Sequence, residues 1–236
     1  MLKLLHLCDS LFPLGGFAYS DGLETAAASG LVGDAEGLAA WLDVSLDETI
    51  GRLDGPAAWQ AWGHIRDEQW DALSGLDEEL VALRPSSAGR RATRAMGRRL
   101  LTTWRALYAT PQLDRLQDHV DRGELAPTLP VAFAGACISA GINRHDTVKA
   151  FAYTRLASTV SAAMRLAPIG QIEAHVLLAR VLARTREVVA RIAGPDLMAR
   201  GIGLPGVGDA PPEAFSPALD IAAMSQQYLH SRLFRS

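Results

Sequence analysis

The sequence predicts an all-α protein: a single globular helical bundle over residues 1–236, with an irregular apolar segment near its N-terminus and a C-terminal tail helix. Three observations carry that expectation. Ala and Leu dominate, while aromatic residues make up 6% and β-branched residues are modest, a balance that favours helix over strand. Apolar residues recur at helical spacing over long stretches, and period-2 alternation is absent. At 236 residues, 49% of them hydrophobic and 21% charged, the chain has the length and composition to bury one sizeable core.

The irregular segment runs over residues 10–20, where Pro13, Gly15 and Gly16 interrupt any period. A short helix is expected from Asp21 to Gly30, a natural C-terminal stop. Asp34 can cap a second helix, whose Leu38, Trp41, Leu42 and Leu46 share one face. Further helical stretches lie around Pro56–Ile65 and Glu78–Leu83. Between Asp43 and Glu79 the chain carries ten acidic residues against Arg52 and Arg66. The sign then reverses. Ser86 or Ser87 can cap a helix to about Tyr108, and no acidic residue occurs from Arg84 to Arg105. At ~100° per residue, Arg91, Arg94, Arg98 and Arg105 fall within an arc of about 60°, opposite Ala92, Met96, Leu100 and Leu107. That row admits two readings: a face solvated or paired with the acidic 43–79 region, or a docking surface for an acidic protein partner.

Pro111 ends the helix, and Leu113–Arg122 is a further short one. Residues 129–140 are small and apolar, as in a helix packed closely on its neighbours. Two long helical stretches, Arg144–Leu166 and Ile169–Ile192, must break at Ala167-Pro168, because proline lacks an N–H and disfavours helical geometry in the residue before it. The second is apolar nearly all round from Ala174 to Ala183, which predicts a central helix, with His175 a hydrogen-bonded core residue. Residues 194–217 read as a flexible connection. Ser216-Pro217 then opens the tail helix, 217–235. Ile221, Met224 and Tyr228 share a face of it, Leu233 and Phe234 add apolar surface, and Arg232 and Arg235 stand near its end. An idle terminus seldom exposes so much apolar surface, which suits entry into a groove on another protein. On that reading, deleting everything after Asp220 leaves the melting temperature nearly unchanged.

Catalytic and ligand-binding chemistry is thin. The formal charge of −3 argues against nucleic-acid binding by the whole chain. Gly201–Gly206 matches G-x-G-x-x-G, but a helix precedes it and Pro205 removes an N–H, so a plain loop is expected rather than a dinucleotide turn. Lys3 and Lys149 are the only lysines and neither follows a glycine, so no P-loop exists and no nucleotide hydrolysis is expected. Cys8 and Cys137 form neither a disulfide framework nor a zinc pattern. His6, Cys8 and Asp9 cluster in sequence, but packing is the expected reason. His119, His145 and His230 stand singly in polar surroundings, where solvation is expected. No metal site, no cofactor and no catalytic residue is predicted. The apolar start meets Asp9 too soon for a signal peptide, and no uncharged run reaches the ~20 residues of a membrane span. The expectation is a cytoplasmic, non-enzymatic protein.

Three stretches together resemble the urease accessory protein F family. The first is Leu11–Glu24, carrying Pro13, Gly15, Phe17, Tyr19, Ser20, Gly22, Leu23 and Glu24. The second is Ala162–Gln171, with Arg165, Pro168, Gly170 and Gln171, and the third is Ser216–Ile221 followed by His230–Ser236. The resemblance implies an all-helical, usually dimeric protein that bridges the accessory protein D (also called H) and the nickel-binding GTPase G. It implies that the complex delivers nickel to the urease apoprotein, with this component tuning or gating the GTPase. One departure stands out: the family commonly reads Ser-Met-Arg-His-Glu where this chain has Ala223-Met-Ser-Gln-Gln227, losing its charged and imidazole groups. The competing reading of the residues is a helical ligand-sensing or DNA-binding regulator, with the Arg84–Arg105 helix on the phosphates.

Overall fold

Side-chain caps fix several helix starts in the computed structural model, which describes residues 1–16, 19–194 and 211–234. Asp34 accepts from Gly37 N at 2.9 Å and opens α3 (Ala35–Val44). Ser86 accepts from Gly89 N at 3.1 Å and opens α6 (Ser87–Leu107). Thr110 and Pro111 open α7 (Pro111–Asp121), and Asn143 opens α9 (Arg144–Leu166). Each cap satisfies an N–H that the helix itself leaves without a partner. The remaining helices are α1 (Leu2–Cys8), α2 (Leu23–Ala28), α4 (Gly55–Arg66), α5 (Trp70–Ala82), α8 (Leu129–Ser139), α10 (Gln171–Ala193) and α11 (Pro217–Ser225). No strand occurs among the described residues. The all-α expectation holds.

The enclosed element is α8, whose residues are buried from Leu129 through Cys137. It packs against α4, α6, α7 and α9. Its small side chains let the neighbours approach, and Gly97 of α6 lies so close that an added Cβ would stand 2.2 Å from Pro127 O. Phe133 of α8 meets Phe151 of α9 edge to face, ring centres 5.4 Å apart, and Trp104 of α6 donates its indole N–H to Ser139 Oγ at 2.8 Å. A second apolar cluster joins α2, α3, α9 and α10 through Leu23, Leu42, Val160 and Val181.

The break at Ala167-Pro168 is present: α9 ends at Leu166, and Ala167 is extended at φ −131° and ψ 155°. The central position predicted for α10 is not. His175 is exposed, and Ile172 and Val176 are 84% and 61% exposed. Nearly uniform apolarity suggested enclosure, yet only the face carrying Ala174, Leu178, Val181 and Val188 is buried, and α8 holds the central place. The helix read at 78–83 begins earlier, at Trp70. Leu107, assigned to the core face of α6, is 50% exposed in that helix's last turn.

Sequence periodicity missed a π-helix, Ser45–Asp54, that joins α3 to α4. Gly51 within it and Gly55, the first residue of α4, make room for α10: a Cβ would stand 3.3 Å from Val188 Cγ1 at the one and 2.6 Å from Ile192 Cδ1 at the other. Pro56 has no N–H to offer the carbonyl of Arg52 four residues back, and Glu213 N donates to that carbonyl at 2.8 Å. Part of the expected flexible connection is therefore tied down, with Pro212 buried. Residues 195–210 of that connection, including Gly201–Gly206, lie outside the described residues.

Substituting Gly97→Ala should destabilise the fold by about 1–3 kcal/mol, because the methyl group must displace backbone at Pro127–Thr128. Urea denaturation monitored by circular dichroism measures this; an unchanged midpoint would show that α6 and α8 are not in close register.

Candidate functional site

The sequence stretches that carry the resemblance meet in space, and Glu24 is where they meet. Glu24 lies in the first turn of α2, is 6% exposed, and faces the C-terminal segment. Its carboxylate accepts from Gln226 Nε2 at 2.9 Å, from Phe234 N at 3.2 Å, and from Leu233 N. Gln226 is itself buried, in the 3₁₀ turn Gln226–Tyr228 that follows α11. Ser20 Oγ stands 3.4 Å from Gln226 Oε1. A buried carboxylate needs donors, and the strap formed by residues 211–234 supplies three of them.

Packing reinforces the clamp. Gly22 has φ +87°, a left-handed conformation, and a Cβ there would lie 2.6 Å from Ala223 N. Only glycine satisfies both demands at once. Ala222 is buried on α2, and Phe234 is 3% exposed with the Arg165 guanidinium 4.5 Å above its ring centre. Asp21 forms an ion pair with Arg155 of α9. Desolvation pulls the Arg155 pKa down to about 10, so it stays protonated at neutral pH. Arg84 and Asp54 make a second pair nearby, burial pushing the Asp54 carboxyl up while Arg84 opposes it. Both pairs line a cavity of about 100 Å³ under the strap, closed by Ser216, Leu219 and Asp220.

The strap is thus two-sided, which corrects the sequence reading. Phe234, expected to offer surface to a partner, is an anchor instead, because its ring fills the site beside Arg165. Ile221, Met224, Tyr228 and Leu233 point outward, 59%, 40%, 78% and 61% exposed. Helix stops at Tyr228, short of the predicted 235. Arg232 is exposed beyond it. Arg235 and Phe17 lie outside the described residues. Ser216 donates its hydroxyl to Asp220 Oδ2 at 3.1 Å and does not cap α11.

Other motif residues lie partly beside the clamp and partly away from it, Tyr19 packing on the first apolar cluster. Leu23 is fully buried and Ser20 nearly so, Tyr19 is half-buried, and Gly15 holds φ +75° against Arg99 of α6. Pro168, Gly170 and Gln171 are exposed at the α9–α10 corner, where Gly170 is the N-cap. The sequence missed the role of Gln226, although a signal existed: Glu24 is an acid set between Leu23 and Ala26 on an apolar helix face, a position that calls for a buried donor.

His6, Cys8 and His119 have ordinary partners. His6 Nδ1 is 2.8 Å from Tyr108 Oη, and burial pushes the Cys8 thiol up to about 11. His119, expected to be solvated, stacks on Trp70 at 4.5 Å and contacts Glu124 Oε2 at 2.6 Å. Among the described residues no three His, Cys, Asp or Glu side chains gather as a metal site would require, and no helix is long and apolar enough to cross a membrane.

The geometry defines an all-helical scaffold that fixes a terminal strap against its body. The sequence model of the UreF family matches residues 32–182. The urease accessory protein UreF of Paracidovorax citrulli (strain AAC00-1) is 33% identical over 236 residues, covering 100% of this chain and 89% of that one. The UreF proteins of Lachnoclostridium phytofermentans and Actinobacillus pleuropneumoniae are 28% and 27% identical, covering at least 99% of this chain and at least 97% of their own. The chain belongs to the UreF family of urease accessory proteins.

Removing the residues after Asp220 should lower the melting temperature, contrary to the expectation from sequence. Burial of Phe234 and the bonds to Glu24 are each worth roughly 1.5–3 kcal/mol before ordering costs. At about 2–4 °C per kcal/mol for a chain of this size, a fall of roughly 5 °C or more is expected in calorimetry. An unchanged value would mean that the strap is not held.

Proposed function

We propose that this chain is the bridging component of the nickel-delivery complex: it joins the accessory protein D (also called H) to the nickel-binding GTPase G and tunes or gates that GTPase as nickel passes to the urease apoprotein. It works in the cytoplasm, as one folded unit and as a homodimer, with no catalytic activity of its own. Family membership supports the urease-assembly part of this reading. The bridging part rests on one observation: Ile221, Met224, Tyr228 and Leu233 face outward from a strap whose inner side is clamped by Glu24. An apolar face that is already ordered loses little conformational freedom on docking, so its burial translates into affinity. Accessory protein D is the assigned occupant.

The homodimer is drawn to a different face. Leu2, Leu5, Leu11 and Tyr153 are all exposed, and Leu5 and Tyr153 border a groove of about 750 Å³ between α1, the following loop and α9. A second copy would cover apolar surface that a monomer leaves wet.

The triple variant Ile221→Ser, Met224→Ser, Tyr228→Ala should keep its melting temperature, since these side chains are exposed, and should lose capture of accessory protein D in a pull-down from purified components. Undiminished capture at equal protein concentration would refute the strap as the docking face.

A further inference from the structure

Of the arginine row of α6, Arg105 pairs with Asp114 at 2.6 Å, and Arg91, Arg94 and Arg98 are left over once the strap and the core are explained. Arg91 and Arg98 are exposed, Arg94 is half-buried, and the three follow one another at one-turn spacing along a single face. Among the described residues, Arg91 and Arg98 form no salt bridge. The contrast lies within the chain itself: Arg52, Arg84, Arg115, Arg155, Arg180 and Arg184 each reach a carboxylate. Arginine is nearly the only cation this sequence uses, so its identity here carries little information. Its lack of pairing carries more.

Among the described residues, no salt bridge joins Arg91, Arg94 or Arg98 to the acidic 43–79 stretch, one reading of the row; only the charge of Arg94 is felt there, by Asp77. Asp43 and Asp47 bond to Arg180 and Arg184 of α10, Asp54 to Arg84, and Glu68 to Arg115. Asp77 is buried, accepts from Thr128 N at 2.8 Å, and feels Arg94 from a distance. An ordinary solvated helix face intersperses acids with bases, because like charges three or four residues apart repel. Here Arg91 and Arg94 are three apart, Arg94 and Arg98 four apart, and no acid lies between Arg84 and Arg105. The opposite face of the same helix is locked on α8 through Met96, Gly97 and Leu100. The row is therefore a repulsive charge array on a rigid support, a local conflict that an anionic partner would resolve.

We propose that Arg91, Arg94 and Arg98 form a second docking surface, separate from the strap, for a protein presenting carboxylates at similar spacing. Guanidinium forks match carboxylates two bonds at a time. Phosphates of nucleic acid are the poorer fit, since the row carries no interleaved aromatic residues and the chain is net −3. The surface rests on the bridging reading only for the choice of probes: purified accessory protein D, the GTPase G and the urease apoprotein.

The test measures association of each probe with the full chain at low and physiological salt. The charge reversal Arg91→Glu, Arg94→Glu, Arg98→Glu should slow association with one probe about tenfold and flatten its salt dependence. The milder Arg91→Gln, Arg98→Gln variant, which spares the charge of Arg94 that Asp77 feels, should do so in part at unchanged melting temperature. That same probe should still bind the strap triple variant if it is not accessory protein D. Equal association of wild type and both variants with every probe overturns the second surface and leaves bridging intact. No binding of any probe by the wild-type chain overturns both. A variant that loses only binding to duplex DNA or to phosphatidylserine vesicles assigns the row to phosphate and overturns the proposal.

Discussion

One buried carboxylate organises the C-terminal strap of this molecule. Glu24 accepts from Gln226 Nε2, Leu233 N and Phe234 N, and each of these lies more than two hundred residues away in sequence. A carboxylate taken from water must be given donors or the fold does not tolerate it. Here the donors come from a segment with little core of its own. The dependence is mutual: the strap satisfies Glu24, and Glu24 sets the register in which Ala222 and Phe234 turn inward and Ile221, Met224 and Tyr228 turn outward. Gly22 completes the arrangement by letting the two backbones approach as no side-chain-bearing residue could.

The rest of the bundle provides the floor for that contact. α8 fills the centre with small and apolar side chains; α6 closes on the residues that lead into it at a distance only Gly97 permits, and Gly135 of α8 lies against Leu116 of α7. The π-helix between α3 and α4 serves the strap directly, because the Arg52 carbonyl accepts from Glu213 N. The strap is thus anchored at Arg52 near its start and at Glu24 near its end. Between these anchors it covers the Arg84–Asp54 and Arg155–Asp21 pairs.

Much of this is legible in the sequence. Helix boundaries marked by Asp34, Ser86 and Pro168 stand where the capping and proline rules place them, since those rules act within a single turn. The resemblance picked out Glu24, Gly22, Arg165 and the C-terminal segment, and these do meet. What sequence could not supply was direction. Periodicity finds an apolar face without saying what covers it, so it points α10 to the centre and Phe234 to the surface. The π-helix escaped because its period is not the one sought. Gln226 stands in the segment that departs from the family's usual residues, where the sequence shows only the loss of charged and imidazole groups; it keeps a donor that the buried carboxylate requires.

Amide hydrogen exchange at Leu233 and Phe234 tests the clamp most directly, because both N–H groups bond to Glu24 and to nothing in a regular helix. The account predicts slow exchange at both amides in the wild-type chain, and acceleration toward the unprotected rate in Glu24→Ala while the α8 amides stay protected. Exchange at the unprotected rate in the wild type, or protection that survives Glu24→Ala, would contradict it.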